Sequence, residues 1–252
     1  MRTCVFVLCA LGLTVATAQA QTVTLSPSVV ELKGTFAQST TQTLTMTNQT
    51  ALDLGFAMEA QDVVTAGGKR IFVAAGDLPH SIAATAVFSP ARVVIPAGTS
   101  RSVTVTVTIP PGTTSRAIVA LFRGTTTIGV GTKPSTVSLG TLMTFTLSDQ
   151  VAATPSDLVV IPQSDTRNAA FEVAFDNRGS EPVTPEGIAV ILRADGTIAG
   201  KVPFTRQRVL PGERVLFHAE YTGELRKGRY RVLSTFEFSG QAVTRSGLLV
   251  VE

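Results

Sequence analysis

The sequence predicts an all-β protein of two β-sandwich domains in tandem, and three observations carry the prediction. A strand-turn-strand stretch, FSPARVVIPAGTSRSVTVTVTI from Phe88 to Ile109, returns in shortened form as RVLPGERVLFHAE from Arg208 to Glu220. Short runs of alternating apolar and polar residues recur between Gly- and Pro-containing turns, with no amphipathic helical pattern among them. Each half also has enough apolar sequence for a core of its own.

The chain opens on an expected secretory signal peptide, residues 1–20. Arg2 precedes an apolar run from Cys4 to Val15, and Ala18-Gln19-Ala20 supplies the small-residue cleavage site. The run is shorter than the roughly 20 residues of a membrane-spanning helix, so no integral membrane segment is expected after cleavage. Cleavage removes Cys4 and Cys9, the 2 cysteines of the chain. Disulfides, thiolate catalysis and Cys-ligated zinc are thereby excluded from the mature protein, which must be held by its cores alone. Without Arg2 the chain carries 20 Lys and Arg against 18 Asp and Glu, since the full sequence has 21 and 18. No basic cluster of nucleic-acid-binding type stands out, because Arg226, Lys227, Arg229 and Arg231 are interrupted by Gly228 and Tyr230 and read as a solvated turn and strand face.

The N-terminal domain is placed at residues 21–151. Thr22 to Leu32 is an edge strand broken by Pro27, where the chain is able to change sheets, since proline cannot donate to a ladder. Gln42 to Asn48 alternates and ends in the turn Asn48-Gln49-Thr50. Leu52 to Val64 continues as strand, and Thr65 to Ala84, with Gly67-Gly68 and Gly76-Asp77, is either a hairpin plus loop or a domain-specific insertion. Val103, Val105, Val107 and Ile109 then alternate with threonines in a half-buried strand. Arg116 to Arg123, RAIVALFR, lies between a Pro-Pro-Gly turn and a Gly/Thr loop and reads as a buried central strand. Val137 to Leu147 closes the domain with Val137, Leu139, Met143, Phe145 and Leu147 on one parity.

Residues 152–156, AATPS, are the expected linker, and residues 157–252 the second domain. Phe171, Val173 and Phe175 alternate with polar neighbours, and Asn177-Arg178-Gly179 repeats the turn at Asn48. Ile188 to Leu192 leads into the hairpin turn Ala194-Asp195-Gly196-Thr197, in which Asp-Gly is a favoured pair. The interval from the turn Asn to the turn Pro is 48 residues in the first half (Asn48 to Pro96) and 34 in the second (Asn177 to Pro211), a difference matched by the Thr65–Ala84 insertion. Tyr230, near the start of a late strand, is either a tyrosine corner or an ordinary strand aromatic.

No catalytic site, metal site or cofactor site is expected. His80 and His218 are the 2 histidines, and they fall in different domains. His218 lies on the parity opposite the apolar face, and His80 beside Ser81 lacks an orienting third group. The Gly-rich phosphate loops, the HExxH zinc motif and the GxSxG nucleophile motif are all missing from the sequence.

The signal peptide, the tandem sandwiches, the N-terminal edge strand and the stretch FSPARVVIPAGTSRSVTVTVTIP together resemble the periplasmic pilus-assembly chaperones (PapD-like). The second half, through FEVAFDNRGSEPV, RVLPGE and KGRYRV, resembles immunoglobulin-like modules of bacterial envelope proteins. The resemblance implies two tandem immunoglobulin-like β-sandwich domains, a periplasmic location, no enzymatic activity, no cofactor, and a protein partner, a pilin-like or other envelope subunit bound by β-strand donation. The lending strand implied is Val137, Leu139, Met143, Phe145 and Leu147, extended through the preceding loop by Ile128 and Val130; the alternative is that the five fill their own core. Members of the family hold the client's terminal carboxylate with an Arg on the first strand and a Lys early on the last. Here Val29 and Val30 stand where that Arg is expected, Lys33 lies further on, and the candidate for the Lys is Lys133, near the last strand but in the loop before Pro134. The other reading is a structural or adhesive envelope protein, secreted or at the cell surface, whose sandwiches act as a spacer or docking surface.

Overall fold

The fold was established with a computed structural model, which describes residues 22–125, 128–130, 133–164 and 166–252. The expected signal peptide at residues 1–20 lies outside the described residues. Two all-β sandwiches follow one another, and the helical turn among the described residues is a single 3-10 turn at Ala83–Thr85.

Domain 1 is built from β1 (Val23–Ser26), β2 (Val29–Lys33), β3 (Ser39–Asn48), β4 (Leu54–Ala66), β5 (Lys69–Ala74), β6 (Val87–Ser89), β7 (Arg92–Ile95), β8 (Ser100–Thr108), β9 (Ala117–Gly124), the short pair β10 (Ile128–Val130) and β11 (Lys133–Ser135), and β12 (Ser138–Thr146). One sheet has the order β1-β3-β8-β6, and the facing sheet β2-β12-β9-β4-β5, with β7 also on β4. The chain changes sheets at Pro27, as the proline break predicts: Val23 to Ser26 pair with β3, whereas Val29 to Lys33 run parallel to β12. The RAIVALFR run is the central strand β9, paired to β12 on one side and β4 on the other. Its even-numbered residues Ile118, Ala120 and Phe122 enter a core with Leu44, Met46, Phe56, Val103, Val105 and Val107.

Domain 2 contains β13 (Ala153–Pro155), β14 (Val159–Ile161), β15 (Ala169–Asn177), β16 (Glu186–Leu192), β17 (Ile198–Pro203), β18 (Arg214–Tyr221), β19 (Gly228–Phe238) and β20 (Gln241–Val251). Strands β13, β14 and β18 pair with β15, and the facing sheet runs β17-β16-β19-β20. The expected linker thus contains a strand: Ala153 to Pro155 pair with Phe175 to Asn177, Ala152 O accepts from Arg178 N at 2.9 Å, and the stretch outside any strand lies at 147–152. Half-buried Ala153 packs against the second core, so the short run that looked like a spacer contributes apolar surface and ladder hydrogen bonds. That core is richer in aromatic rings than the first. Phe175 meets Phe217, Phe236 and Phe238 edge-on with ring centroids 5.1, 4.8 and 5.5 Å apart, a geometry that aligns ring edges with ring faces.

The internal repeat extends to its buried polar atoms. Asn48, fully buried, donates from Nδ2 to the carbonyls of Leu52 (2.7 Å) and Ile95 (3.0 Å) and accepts from Thr50 N at 3.0 Å. Asn177, also fully buried, donates to the carbonyls of Glu181 (2.9 Å) and Val209 (3.2 Å) and accepts from Gly179 N at 3.0 Å. Each side chain ties its own turn to the segment ahead of the Pro-Gly turn, and an amide has both the donors and the acceptor this requires. Tyr230 is a tyrosine corner: its hydroxyl donates to the Arg226 carbonyl at 2.7 Å, and its ring is buried.

Candidate functional site

The open part of β12 is the first element of the site. Its odd-numbered residues direct main-chain groups toward β9, as in Phe145 N donating to Arg116 O at 2.8 Å. Its even-numbered residues direct theirs the other way, as in Leu142 N donating to Ser28 O at 3.0 Å. Pairing with β2 begins at Leu142 and continues to Thr146. Ser138 and Gly140 therefore point their N–H and C=O groups to a side where, among the described residues, no strand pairs with β12. The stop is set locally: the Thr141 hydroxyl donates to the Pro27 carbonyl at 2.7 Å, and Pro27, lacking an N–H, cannot carry the β2 ladder further back.

Side chains along β12 divide at the same point. Met143 and Phe145 are fully buried among the domain 1 core residues. They fill their own sandwich, which is the second of the two readings open for the five residues. Leu139 and Leu147 are half-buried against that core, and Val137 is half-buried at its end. Leu147 is further committed, its N–H donating to Glu181 of domain 2 at 2.8 Å. Ile128, Val130 and Lys133 lie in the β10–β11 hairpin, which pairs with itself, Ile128 opposite Ser135 and Val130 opposite Lys133; their side chains lie outside the described residues.

On the outer face of the same sheet, Val119, Leu121 and Leu142 form an apolar strip next to the open edge. Gly140 makes room for it, since a Cβ there would stand 2.8 Å from Val119 Cγ2 and 3.1 Å from Leu121 Cδ2. The strip runs into a small cluster of Val63, Ala117, Val119 and Leu210, in which Leu210 comes from domain 2.

Three ion pairs surround that junction. Arg70, on the hairpin the second domain lacks, is bidentate to Glu213 at 2.8 and 3.2 Å and donates to Arg208 O at 2.6 Å. Arg116 Nε donates to the fully buried Glu181 at 3.1 Å. Arg208 Nη1 donates to Glu31 Oε2 at 3.0 Å and to Thr184 Oγ1 at 2.8 Å, while Nη2 reaches Thr146 Oγ1 at 3.2 Å. The insertion at 65–84 and both sides of the RVLPGE turn are thus joined in one interface.

Between the domains lies a cleft of about 630 Å³, lined by Glu31, Lys33, Thr146, Thr184, Arg206 and Arg208 among others. The Arg208 side chain is 8% exposed, and its Nε has no hydrogen-bond partner among the described residues. Burial pulls its pKa below the usual arginine value, opposed by the nearby Glu31 carboxylate. Arg206 lies 3.7 Å from Glu31, and Lys33 is exposed at the rim. Sequence reasoning missed Arg208 as a cleft residue, because it opens the repeat exactly where exposed Arg92 does in the first copy; only the approach of domain 1 encloses it.

The catalytic candidates have structural surroundings. Ser81 Oγ donates to Asp62 and accepts from Gly76 N and Ala84 N, and Asp62 also accepts from Ile82 N and Ala83 N. This buried set pins the loop after β5. His80 lies over Gly112, and the half-exposed His218 has Nδ1 3.3 Å from Glu172 Oε1. Among the described residues no cluster of metal-ligating side chains occurs.

The architecture defines an all-β protein of two tandem immunoglobulin-like sandwiches. No family model and no curated protein matches the sequence. Among solved structures, the chain is similar to the class 5 fimbriae chaperone CfaA, with 13% identity and a TM-score of 0.44 over 92% of this chain and 99% of the other. It is also similar to the Pseudomonas aeruginosa CupB2 chaperone, with 11% identity and a TM-score of 0.41 over 90% and 100%, and to the E. coli chaperone DraB, with 12% identity and 0.40 over 91% and 97%.

Proposed function

We propose that this protein is a non-enzymatic periplasmic chaperone-like module that binds a fimbrial or other envelope subunit by adding the open edge of β12 to the subunit's sheet. The observation that carries the reading is the uncovered stretch at Ser138 and Gly140. An edge with free main-chain donors and acceptors is a template for strand addition, and proteins ordinarily mask such edges. Val137 and Leu139 flank these groups on the core side, and Val119, Leu121 and Leu142 do so on the outer face, so a strand added here finds main-chain partners with apolar surface on both sides. The lending segment is then the first half of β12, Val137 to Thr141, with Met143 and Phe145 as its internal anchor.

The cleft completes the site. Arg208, Arg206 and Lys33 stand beside the far end of β2 and β12, and with Arg208 buried against Glu31, the exposed Arg206 and Lys33 are the cations that an anionic group such as a carboxylate reaches. These residues take the anchoring place that Val29 and Val30 leave unfilled, and most of the charge comes from domain 2.

The test is co-expression with each pilin-type or adhesin-type subunit encoded beside the gene, followed by capture on the tagged protein. Ser138→Pro removes an N–H that faces the open side and leaves the β9 ladder intact. Wild type is expected to retain a subunit, and Ser138→Pro to retain at least tenfold less at unchanged circular dichroism. Failure of the wild type to retain any subunit, or equal retention by Ser138→Pro, overturns the reading.

A further inference from the structure

The outward faces of the two domains differ in kind. In domain 1, the β3–β8 pair presents hydroxyls that bond one another across the strands: Ser39 to Thr108 and Thr41 to Thr106 at 2.7 Å, Thr45 to Ser102 at 2.9 Å, Thr47 to Ser100 at 2.8 Å. In domain 2, the outward face of β17-β16-β19-β20 has one such hydroxyl pair, Thr235 with Thr244 at 3.0 Å, and Ser246 opposite Leu233, but is otherwise aliphatic along β16 and on the neighbouring parts of β17, β19 and β20. Val190 stands opposite Leu233, Leu192 opposite Ile198, Leu248 opposite Arg231, and Val250 opposite Arg229. Ile188, Ile198, Leu248 and Val250 are 39%, 51%, 57% and 37% exposed. A solvated sheet face alternates against its core with polar residues, and single exposed aliphatics on it are ordinary. A contiguous set across four strands marks a surface that is covered.

Charge on this face is sorted along the strands. Glu186 and Glu237 are directly opposed at one end, and Arg229 and Arg231 lie at the other. Among the described residues Glu237, Arg229 and Arg231 have no ion-pair partner, and Glu186 reaches only Arg206 at 3.6 Å. An acidic end, an apolar middle and a basic end on one flat face are complementary to the same face turned end for end.

We propose that this face is a homodimer interface, on which a second copy packs face to face about a two-fold axis running across the strands at the Val190–Leu233 pair. That axis lays Glu237 over Arg229 of the other copy, Ile188 over Leu192, and Val190 and Leu233 over themselves. A two-fold axis along the strands instead sets Glu237 against Glu237, and the charges reject it. Lys201, opposite Val190 on the edge strand β17, falls at the rim, where its stem covers apolar surface and its ammonium reaches water. Four strands about 4.8 Å apart and the span from Arg229 to Glu237 at about 3.3 Å per residue give a patch of roughly 500 Å² per copy. A total near 1,000 Å² is at the low end of specific interfaces, the size of weak or transient associations. The proposal is independent of strand donation, because the face lies in domain 2 and leaves the β12 edge of domain 1 open.

Sedimentation velocity of the wild-type chain across the micromolar range tests it, with two charge-reversed variants. Arg229→Glu with Arg231→Glu makes the face acidic at both ends, and Glu186→Arg with Glu237→Arg makes it basic at both ends. Each variant alone is expected to self-associate at least tenfold more weakly than wild type, and an equimolar mixture of the two to recover a dimer. All four side chains are exposed, so circular dichroism of each variant should match wild type. A wild type that stays monomeric throughout, a dimer untouched by either variant, or a mixture that fails to associate overturns the proposal; the first of these leaves the face to a different protein.

Discussion

Replacing Glu181 by alanine strips the counter-ion from a guanidinium that the two domains enclose together. The Glu181 carboxylate is fully buried and accepts from Arg116 Nε at 3.1 Å, Leu147 N at 2.8 Å and Ser148 Oγ at 3.0 Å. The Arg116 side chain is 12% exposed, so water compensates little of the freed charge. Removing one member of a buried pair costs about 3–5 kcal/mol. Arg116 keeps its bonds to the carbonyls of Thr113 and Ser115 at 3.2 and 3.0 Å, which places the loss near the lower bound, about 3 kcal/mol. At about 2–4 °C per kcal/mol for a chain of this size, Tm should fall by roughly 6–12 °C. The protein has no tryptophan, so urea and thermal unfolding are best followed by far-UV circular dichroism. The decisive comparison is the double variant Arg116→Met with Glu181→Leu, which removes both charges and fills the space. A buried pair exchanged for apolar groups is neutral or stabilising, so the double variant should recover at least half of the loss. If Glu181→Ala stays within 1 kcal/mol of wild type, or the double variant is no more stable than Glu181→Ala, the account of this interface is wrong.

Asn48→Ala and Asn177→Ala should each cost about 1–3 kcal/mol in urea unfolding, because Ile95 O and Glu181 O lose the side-chain donor, whereas Leu52 O keeps the Thr50 hydroxyl and Val209 O keeps Val183 N; a large difference between them would contradict the equivalence of the two turns. Tyr230→Phe should cost about 1 kcal/mol by losing the bond to Arg226 O, read in the same assay. Gly140→Ala should destabilise by about 1–3 kcal/mol through overpacking on Val119 and Leu121. The Asp195 carboxylate is held below its ordinary value of 3.8, first by the Thr197 hydroxyl and then by the Thr197 N–H. Its contribution to stability is therefore present above pH 3.8 and is lost as the pH falls through the lowered folded value. NMR titration should place its midpoint below 3.8, and Thr197→Ala should raise it; a midpoint unmoved by that change refutes the assignment.

Much of the fold was legible because its signals are local. The two-residue period of Val103 to Ile109, the proline break at Pro27 and the Asp-Gly turn at Asp195 each state a backbone preference that tertiary contacts then use. The duplicated Asn and Pro-Gly turns gave two sandwiches of one plan, and the 14-residue surplus in the first (48 less 34) located the hairpin that ends at the domain interface. The short strand inside the expected linker was not legible, because Ala153 to Pro155 carry too few apolar residues to show a period, although the β15 edge pairs them.

The site was less legible. Parity alone grouped Val137, Leu139, Met143, Phe145 and Leu147, since all five lie on one side of β12. Alternation records which side of a strand a residue occupies; it does not record where a neighbouring strand stops. The end of β2 pairing at Leu142 makes that difference, separating an open half of β12 from a half sealed into the core. Arg208 shows the same limit in charge. As the opening residue of a repeat it matches exposed Arg92, and only the packing of Glu31, Thr146 and Thr184 around it turns it into a buried cation facing a cleft. What the amino-acid order determined by itself was the list of strands and turns, because those rest on short-range sterics and periodicity. The tertiary structure alone decided which strand edge stays unpaired and which charges are shared between domains, because both depend on residues from 65 to 177 positions apart meeting in space.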